Sequence, residues 1–361
     1  MPEASLLDVN GALYGTTIGG GSYGYGTVFK VSASGQETIL HSFNFTDGSG
    51  PVAQLTNVNG TLYGTTLNGG AYKAGTVFGM SQGGKLTTIY NFTGDGDGSG
   101  PLGLINVNGT LYGTTDFGGT QDGGTVFSVT TTGKETVLHR FTGGSSDGLE
   151  PMAGLLNVGG TLYGTTSLGG SSNCGNTGCG AVFSVTTSGS EKVLHGFAGP
   201  PDGESPEASL INISGTLYGT TAYGGNMNCP SGVGCGTVFS ITTSGNEKVL
   251  YNFAGSPDGA YPKAKLTKAS GILYGTTAGG GAYSCHTQDA PGCGTVFSIS
   301  SSGAESVIYS FAGRGKLGHP DGSEPWAGVI DVNGTLYGTT TAGGKYNQGT
   351  IYELVPSAAS H

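Results

Sequence analysis

The chain has little charge, few basic residues, no long apolar run and no helical rhythm. Lys and Arg number 13 against 23 Asp and Glu, a formal net charge of −10, and only 10% of the 361 residues are charged. Such a surface repels polyanions, which excludes nucleic acid as a partner. No stretch approaches the length of apolar sequence that a membrane-spanning helix needs, so no membrane insertion is expected. No segment of ten or more residues carries the 3.6 period of an amphipathic helix. The start, Met1-Pro2-Glu3-Ala4, lacks the basic and apolar regions of a secretory leader, and a leader is expected to have been removed.

Glycine fills 74 positions and proline 14, a composition that suggests disorder until its period is seen. The pentapeptide Leu-Tyr-Gly-Thr-Thr occurs seven times, with tyrosines at Tyr14, Tyr63, Tyr112, Tyr163, Tyr218, Tyr274 and Tyr337. Successive spacings of 49, 49, 51, 55, 56 and 63 residues show units that lengthen toward the C-terminus. A repeat of this length fixes the architecture before any single motif does.

Each unit holds four short apolar or β-branched runs, here lettered A to D. In the third, A is about 104–107 and B is 110–115, separated by the hairpin dipeptide Asn108-Gly109; C is 125–129 and D is 135–141. Seven such units predict an all-β, seven-bladed β-propeller of four-stranded antiparallel blades. One propeller is expected over 1–361, with blades at about 2–46, 51–94, 101–143, 151–198, 206–254, 262–313 and 325–355. The meander places the A–B and C–D turns on one face, and the longer B–C and D–A loops on the other.

The pattern Pro-x-Ala-x-Leu, Asn-Gly-Thr-Leu-Tyr-Gly-Thr-Thr-x-x-Gly-Gly, Gly-Thr-Val-Phe-x-Val, Gly-x-Glu-x-Val-Leu-His-x-Phe resembles the Gloeo-Verruco (GloVer) tandem repeat of secreted bacterial proteins, over almost the whole chain. It is also similar, more distantly, to the NHL-type repeat. That likeness implies that strand A lines the central channel and strand D is outermost. The GloVer resemblance implies no established activity.

Strands A, B and C each occur seven times but D only six, so the seventh blade is expected to lack its outermost strand. Three readings stay open: a three-stranded blade with a harmless edge, a gene fragment without its closing strand, and an edge that pairs with another molecule, through self-association or strand donation.

Six cysteines form three local pairs, Cys174/Cys179, Cys229/Cys235 and Cys285/Cys293, one in each B–C loop of blades four to six. One pair per loop reads as disulfides made in an oxidising compartment, and hence an extracellular or cell-surface protein. Zinc would need converging ligands, and only His286 offers itself; no metal is expected.

Other motifs are accidents of a glycine-rich chain. Gly20-Gly-Ser22-Tyr-Gly24 matches a nucleophile elbow, and Gly19, Gly21 and Gly24 match a dinucleotide fingerprint, yet both patterns need a strand-to-helix turn. Asp95-Gly-Asp97-Gly-Ser99-Gly100 mimics half a calcium loop, but Asn106 stands where a bidentate glutamate belongs; calcium is the one cofactor left open. Asp-Gly-x-x-Pro opens each of blades two to seven and reads as a turn. His41, His139 and His195 stand where other blades have Tyr90, Tyr251 and Tyr309, so they read as packing residues.

Departures from the repeat point to function. The enlarged B–C loops and the long connection from blade six to seven lie on one face. The sole tryptophan, Trp326, occupies the variable position of Pro-x-Ala, filled elsewhere by Glu3, Val52, Leu102, Met152, Glu207 and Lys263. An aromatic among loop-borne polar groups at a channel mouth marks a ligand site. Trp326, Tyr223, Tyr283, His286, Arg314 and His319 are therefore expected to border a site for a carbohydrate or small polar ligand, with Trp326 as a mere plug of the channel the alternative. This makes the chain a binding module; a filament-forming protein and a propeller hydrolase or lyase are the other classes. The last would need a convergent acid–base set, and strand A offers only Asp8 and Asp331, with Glu3 and Glu207 at its start.

Overall fold

The computed structural model describes residues 1–356 except 176, 228, 230–231, 286–291 and 314–320. Seven antiparallel sheets follow one another along the chain, the first six in the order A-B-C-D, with a short extra strand Ser99–Pro101 on strand B of the third, and the last of three strands. Strand A is Leu7–Val9, Thr56–Val58, Ile105–Val107, Leu156–Val158, Ile211–Ile213, Thr267–Ala269 and Ile330–Val332. Strand B is Ala12–Thr17, Thr61–Thr66, Thr110–Phe117, Thr161–Thr166, Thr216–Thr221, Ile272–Thr277 and Thr335–Thr340. Strand C is Thr27–Val31, Thr76–Ser81, Thr125–Thr130, Ala181–Thr186, Thr237–Thr242, Thr295–Ile299 and Thr350–Leu354. Strand D is Glu37–Ser42, Leu86–Asn91, Glu135–Arg140, Glu191–Gly196, Glu247–Asn252 and Glu305–Ser310. This is the seven-bladed propeller, with its last blade one strand short.

Every letter of the pentapeptide has a physical role. The leucine is core, as Leu62, Leu162 and Leu217 show, and the tyrosine turns to the opposite side of the strand, toward a neighbouring blade. The glycine lies directly across the ladder from the phenylalanine of strand C, Gly164 opposite Phe183, for instance. A Cβ at Gly164 would meet the Phe183 ring at 2.5 Å, so only glycine lets the ring lie flat across the strand.

The first threonine reaches the next blade. Thr114 Oγ1 donates to the carbonyl of Ala153 at 2.8 Å and Thr276 Oγ1 to that of Ala327 at 3.0 Å. Thr339 Oγ1 to Ala4 O, at 3.4 Å, joins blade seven to blade one and closes the ring. The second threonine bonds across its own blade, as Thr66 does to Thr76 at 2.9 Å.

Turns follow the same economy. Asp8 Oδ1 and Asp331 Oδ1, the acidic groups of strand A, accept the amides of Gly11 and Gly334 in the A–B hairpins, as Asn57 and Asn106 do in theirs. Each Asp of Asp-Gly-x-x-Pro caps the end of strand D. His41, His139 and His195 reach that carboxylate through Nε2 at 2.8, 3.1 and 3.3 Å, and Tyr90, Tyr251 and Tyr309 donate to it through their hydroxyls at 2.8, 3.0 and 3.1 Å. Histidine and tyrosine are interchangeable there because both present a polar tip to one acceptor at the same reach.

Blade three departs from the pattern by one residue. Leu102, not Gly103, offers the carbonyl that alanine offers elsewhere, accepting from Thr65 Oγ1 at 3.0 Å. The segment between Pro101 and strand A is a residue shorter than in other blades, so Leu102 holds the alanine position and not the variable one.

The cysteine pairs are disulfides, Cys174–Cys179, Cys229–Cys235 and Cys285–Cys293, with Cα separations of 5.1, 5.4 and 4.9 Å. Each pair lies between strands B and C, as the spacing predicts, and one member of each reaches deep into the fold. Cys179, Cys235 and Cys293 are fully buried and belong to the core between blades, packed with the phenylalanines that follow strand D: Phe197, Phe253 and Phe311. The reason lies in the backbone. Each sits just before the glycine that leads into strand C, and its carbonyl accepts the amide of the next D–A segment, from Ser205 at 2.8 Å, Tyr261 at 2.9 Å and Glu324 at 3.0 Å. The bridge therefore ties a loop residue down to a fixed core position, instead of joining two points of a free loop.

Candidate functional site

The A strands of neighbouring blades touch one another, so A is innermost and its start rims the central channel. The D–A segment of each blade from four to seven pairs with the B–C loop that follows it, Glu204 with Tyr223 for example, which brings both long loops to the same face. On that face a cavity of about 380 Å³ is lined by Glu3, Val52, Leu102, Met152, Glu207, Lys263 and Trp326. The mouth is two-sided: blades two to four contribute Val52, Leu102 and Met152, and blades five, six, seven and one contribute Glu207, Lys263, Trp326 and Glu3.

The polar arc is built around Lys263. Its Nζ lies 5.0 Å from the centre of the Trp326 ring, 5.7 Å from that of Tyr223, and 3.2 Å from Glu207 Oε2. An ammonium held between two π faces and a carboxylate has its charge compensated on three sides, with roughly 0.5 to 2 kcal/mol from each ring. Tyr223 is braced in turn by an edge contact with Tyr261 at 5.6 Å, and Ser205 Oγ donates to Glu207 Oε1 at 3.4 Å. Burial raises the pKa of Glu3 on the far side of Trp326.

Two more ionisable groups line the same cavity. Asp116, just beyond the pentapeptide of blade three, has a buried oxygen without a hydrogen-bond partner. Burial, with Glu150 and Asp122 nearby, pushes its pKa up to about 6. Lys265 of blade six lines the cavity as an exposed residue, and partial desolvation lowers its pKa.

Of the residues expected at the site, Trp326 and Tyr223 are brought together by Lys263. Tyr283 is half-buried against the cluster between blades six and seven that contains Phe311 and Cys293. His286, Arg314 and His319 lie outside the described residues. Lys263 and Glu207 are the additions: each is visible in the sequence as the occupant of the variable position in its blade, but only the ring sets them beside Trp326.

In the calcium-like loop, both oxygens of Asp97 accept protein hydrogens, from Tyr90 and Thr93. Among the described residues, two clusters have ligand-type atoms within 4.8 Å of one another, His139/Asp147/Glu191 and His195/Asp202/Glu247. Tyr90, Asp97 and Glu135 hold the corresponding positions one junction earlier, where the phenol takes the place of the imidazole. A tyrosine serves the packing equally well, so these clusters read as blade-to-blade contacts.

The fold is shared with solved structures at low sequence identity. Virginiamycin B lyase from Staphylococcus aureus is 15% identical, with a TM-score of 0.60, 98% of this chain and 94% of that chain covered. A puromycin-hydrolyzing peptidase from Mycobacterium tuberculosis is 10% identical, with a TM-score of 0.60, and 98% of this chain spans 51% of the peptidase. A candidate 6-phosphogluconolactonase from Bacteroides uniformis is 13% identical, with a TM-score of 0.53 and coverages of 95% and 96%. No curated protein matches the sequence. The Gloeobacter/Verrucomicrobia repeat model matches residues 1–177 and 102–288, and the chain belongs to that family.

Proposed function

We propose that the chain is a secreted or cell-surface binding module that holds a carbohydrate or small polar ligand in the channel mouth. The observation that carries this reading is the arc of Glu207, Lys263, Trp326 and Glu3 facing the apolar arc of Val52, Leu102 and Met152 across one cavity. A sugar ring has one face of C–H groups and a rim of hydroxyls, which matches an indole beside an ammonium–carboxylate pair. The cavity falls within the size range of small-molecule sites. Three disulfides support an oxidising compartment. A glycan array probed with the wild-type protein and Trp326→Ala tests the reading: signals that fade in the variant support it, and indistinguishable profiles remove the site.

A hydrolase or lyase reading draws on Asp116 and Lys265, a carboxyl poised near neutrality and a depressed amine in the same channel. Screening against ester and lactone substrates tests it; turnover lost in Asp116→Asn supports it, and no turnover sets it aside.

A further inference from the structure

A groove of about 1190 Å³ runs between blades seven and one, lined among others by Leu13, Phe29, Val31 and Ile39 on one side and Ile351 and Tyr352 on the other. At the six other blade junctions the same place is filled by a D strand, held by two contacts that recur at all six and a third that recurs at the five where the next blade has a C–D turn. The phenylalanine that follows strand D stacks edge-on against the aromatic ring of strand C in the next blade, as Phe141 does on Phe183 at 5.0 Å. Its amide donates to a glycine carbonyl of its own blade, Phe141 N to Gly124 O at 3.0 Å. A backbone carbonyl of strand D lies under the C–D turn of the next blade, so that a Cβ at Gly189 would meet Leu138 O at 2.6 Å.

The first and the third have an unfilled counterpart at the groove. Phe29 makes no aromatic pair among the described residues, and a Cβ at Gly35, the equivalent turn glycine, would meet nothing within 4 Å. Ile351 is 36% exposed. The backbone edge of Thr350–Leu354 is the outer edge of its sheet.

We propose that this groove docks an extended peptide segment of the strand-D type, Glu-x-Val-Leu-His/Tyr-x-Phe, which adds antiparallel to Thr350–Leu354 as a fourth strand. The occupant's chemistry is read from the six filled copies of the same interface. Their register places its glutamate beside Leu354, its valine beside Tyr352 and its histidine or tyrosine beside Ile351, as Glu37, Ile39 and His41 lie beside Val31, Phe29 and Val28. Its final phenylalanine falls on Phe29 of blade one. Backbone pairing supplies the affinity and the phenylalanine the selectivity, the division of labour of strand addition to a sheet edge.

A synthetic peptide copying residues 135–148 tests this by calorimetric titration into the intact protein, with hydrogen exchange followed at Thr350–Leu354. Saturable one-to-one binding, slowed exchange along that strand, and at least about tenfold weaker binding by the peptide carrying Phe141→Ala are expected. Ile351→Asp, at an exposed position, should weaken binding of the unchanged peptide comparably. Absence of binding, or binding indifferent to both changes, overturns the proposal. So does a dimer by light scattering whose exchange at Thr350–Leu354 is already slow without peptide, since a second copy then holds the edge.

Discussion

Val28 of the first blade and Ile351 of the last occupy the same position of strand C, each opposite the first threonine of its pentapeptide, yet Val28 is fully buried and Ile351 is 36% exposed. Strand D makes the difference, covering Val28 with His41. Truncating a buried equivalent, Val182→Ala, should cost about 2 kcal/mol, and Ile351→Ala less than half of that despite removing more atoms. Denaturant midpoints of the two variants check the order.

The pentapeptide glycine is a packing residue. In Gly64→Ala the new Cβ would stand 2.5 Å from the Phe78 ring and 2.8 Å from Leu55 Cδ2. A loss of about 1–3 kcal/mol is expected, as for other overpacked cores. Phe78→Leu in the same chain should recover part of it if the ring is the obstacle, which thermal melts of the single and double variants measure.

Stability should decline from mildly acidic to alkaline pH. Burial, with the neighbouring Asp of the previous blade, pushes Glu135, Glu191, Glu247 and Glu305 up to about 7 from 4.5. Folding therefore favours their protonated forms, and that contribution is complete below about pH 4.5 and lost as pH rises through about 7. Burial acts to raise Asp147 and Asp202 as well, but the hydrogen bonds from His139 and Thr142 to the first, and from His195 and the Gly203 and Ala198 amides to the second, together outweigh it and hold both below 3.8. Their contribution disappears only at lower pH. The melting temperature should be higher at pH 5 than at pH 8, and replacing the four glutamates by glutamine should flatten the slope.

Reduction should weaken blades four to six. The bridges close loops with separations of 5, 6 and 8 residues, each worth about 2 kcal/mol by chain entropy. Urea unfolding with and without a thiol reductant measures the sum; replacing Cys174 and Cys179 by serine in blade four should show about a third of it, plus the cost of setting a hydroxyl at the buried Cys179 position. Alanine at both positions avoids that second cost and separates the two.

The repeat made most of the fold legible, because one strand pattern read seven times averages out local ambiguity. The short last blade and the three cysteine pairs followed from counting. The burial of Cys179, Cys235 and Cys293 did not, since it depends on carbonyl contacts with the following D–A segment that no local pattern announces. Blade three was misread by one residue, since Pro101 marks the repeat in sequence while the Thr65 hydrogen bond marks it in space. The site was half legible. Trp326 is conspicuous as the only tryptophan; Lys263 and Glu207 were legible as occupants of the same variable position, but not as its ion-pair and cation–π partners until the ring set three successive blades side by side. Tyr283 has a loop address in sequence and is half-buried against the core between blades six and seven in the structure.

Because Trp326 is the sole tryptophan, its fluorescence reports the channel mouth directly. Titrating the wild-type protein with the strongest array ligand should give a saturable change in tryptophan emission, and Lys263→Ala should weaken the ligand about tenfold by removing the ammonium between the two rings. A ligand that binds by calorimetry while the emission stays unchanged, and that binds Lys263→Ala equally well, would contradict a site at this mouth.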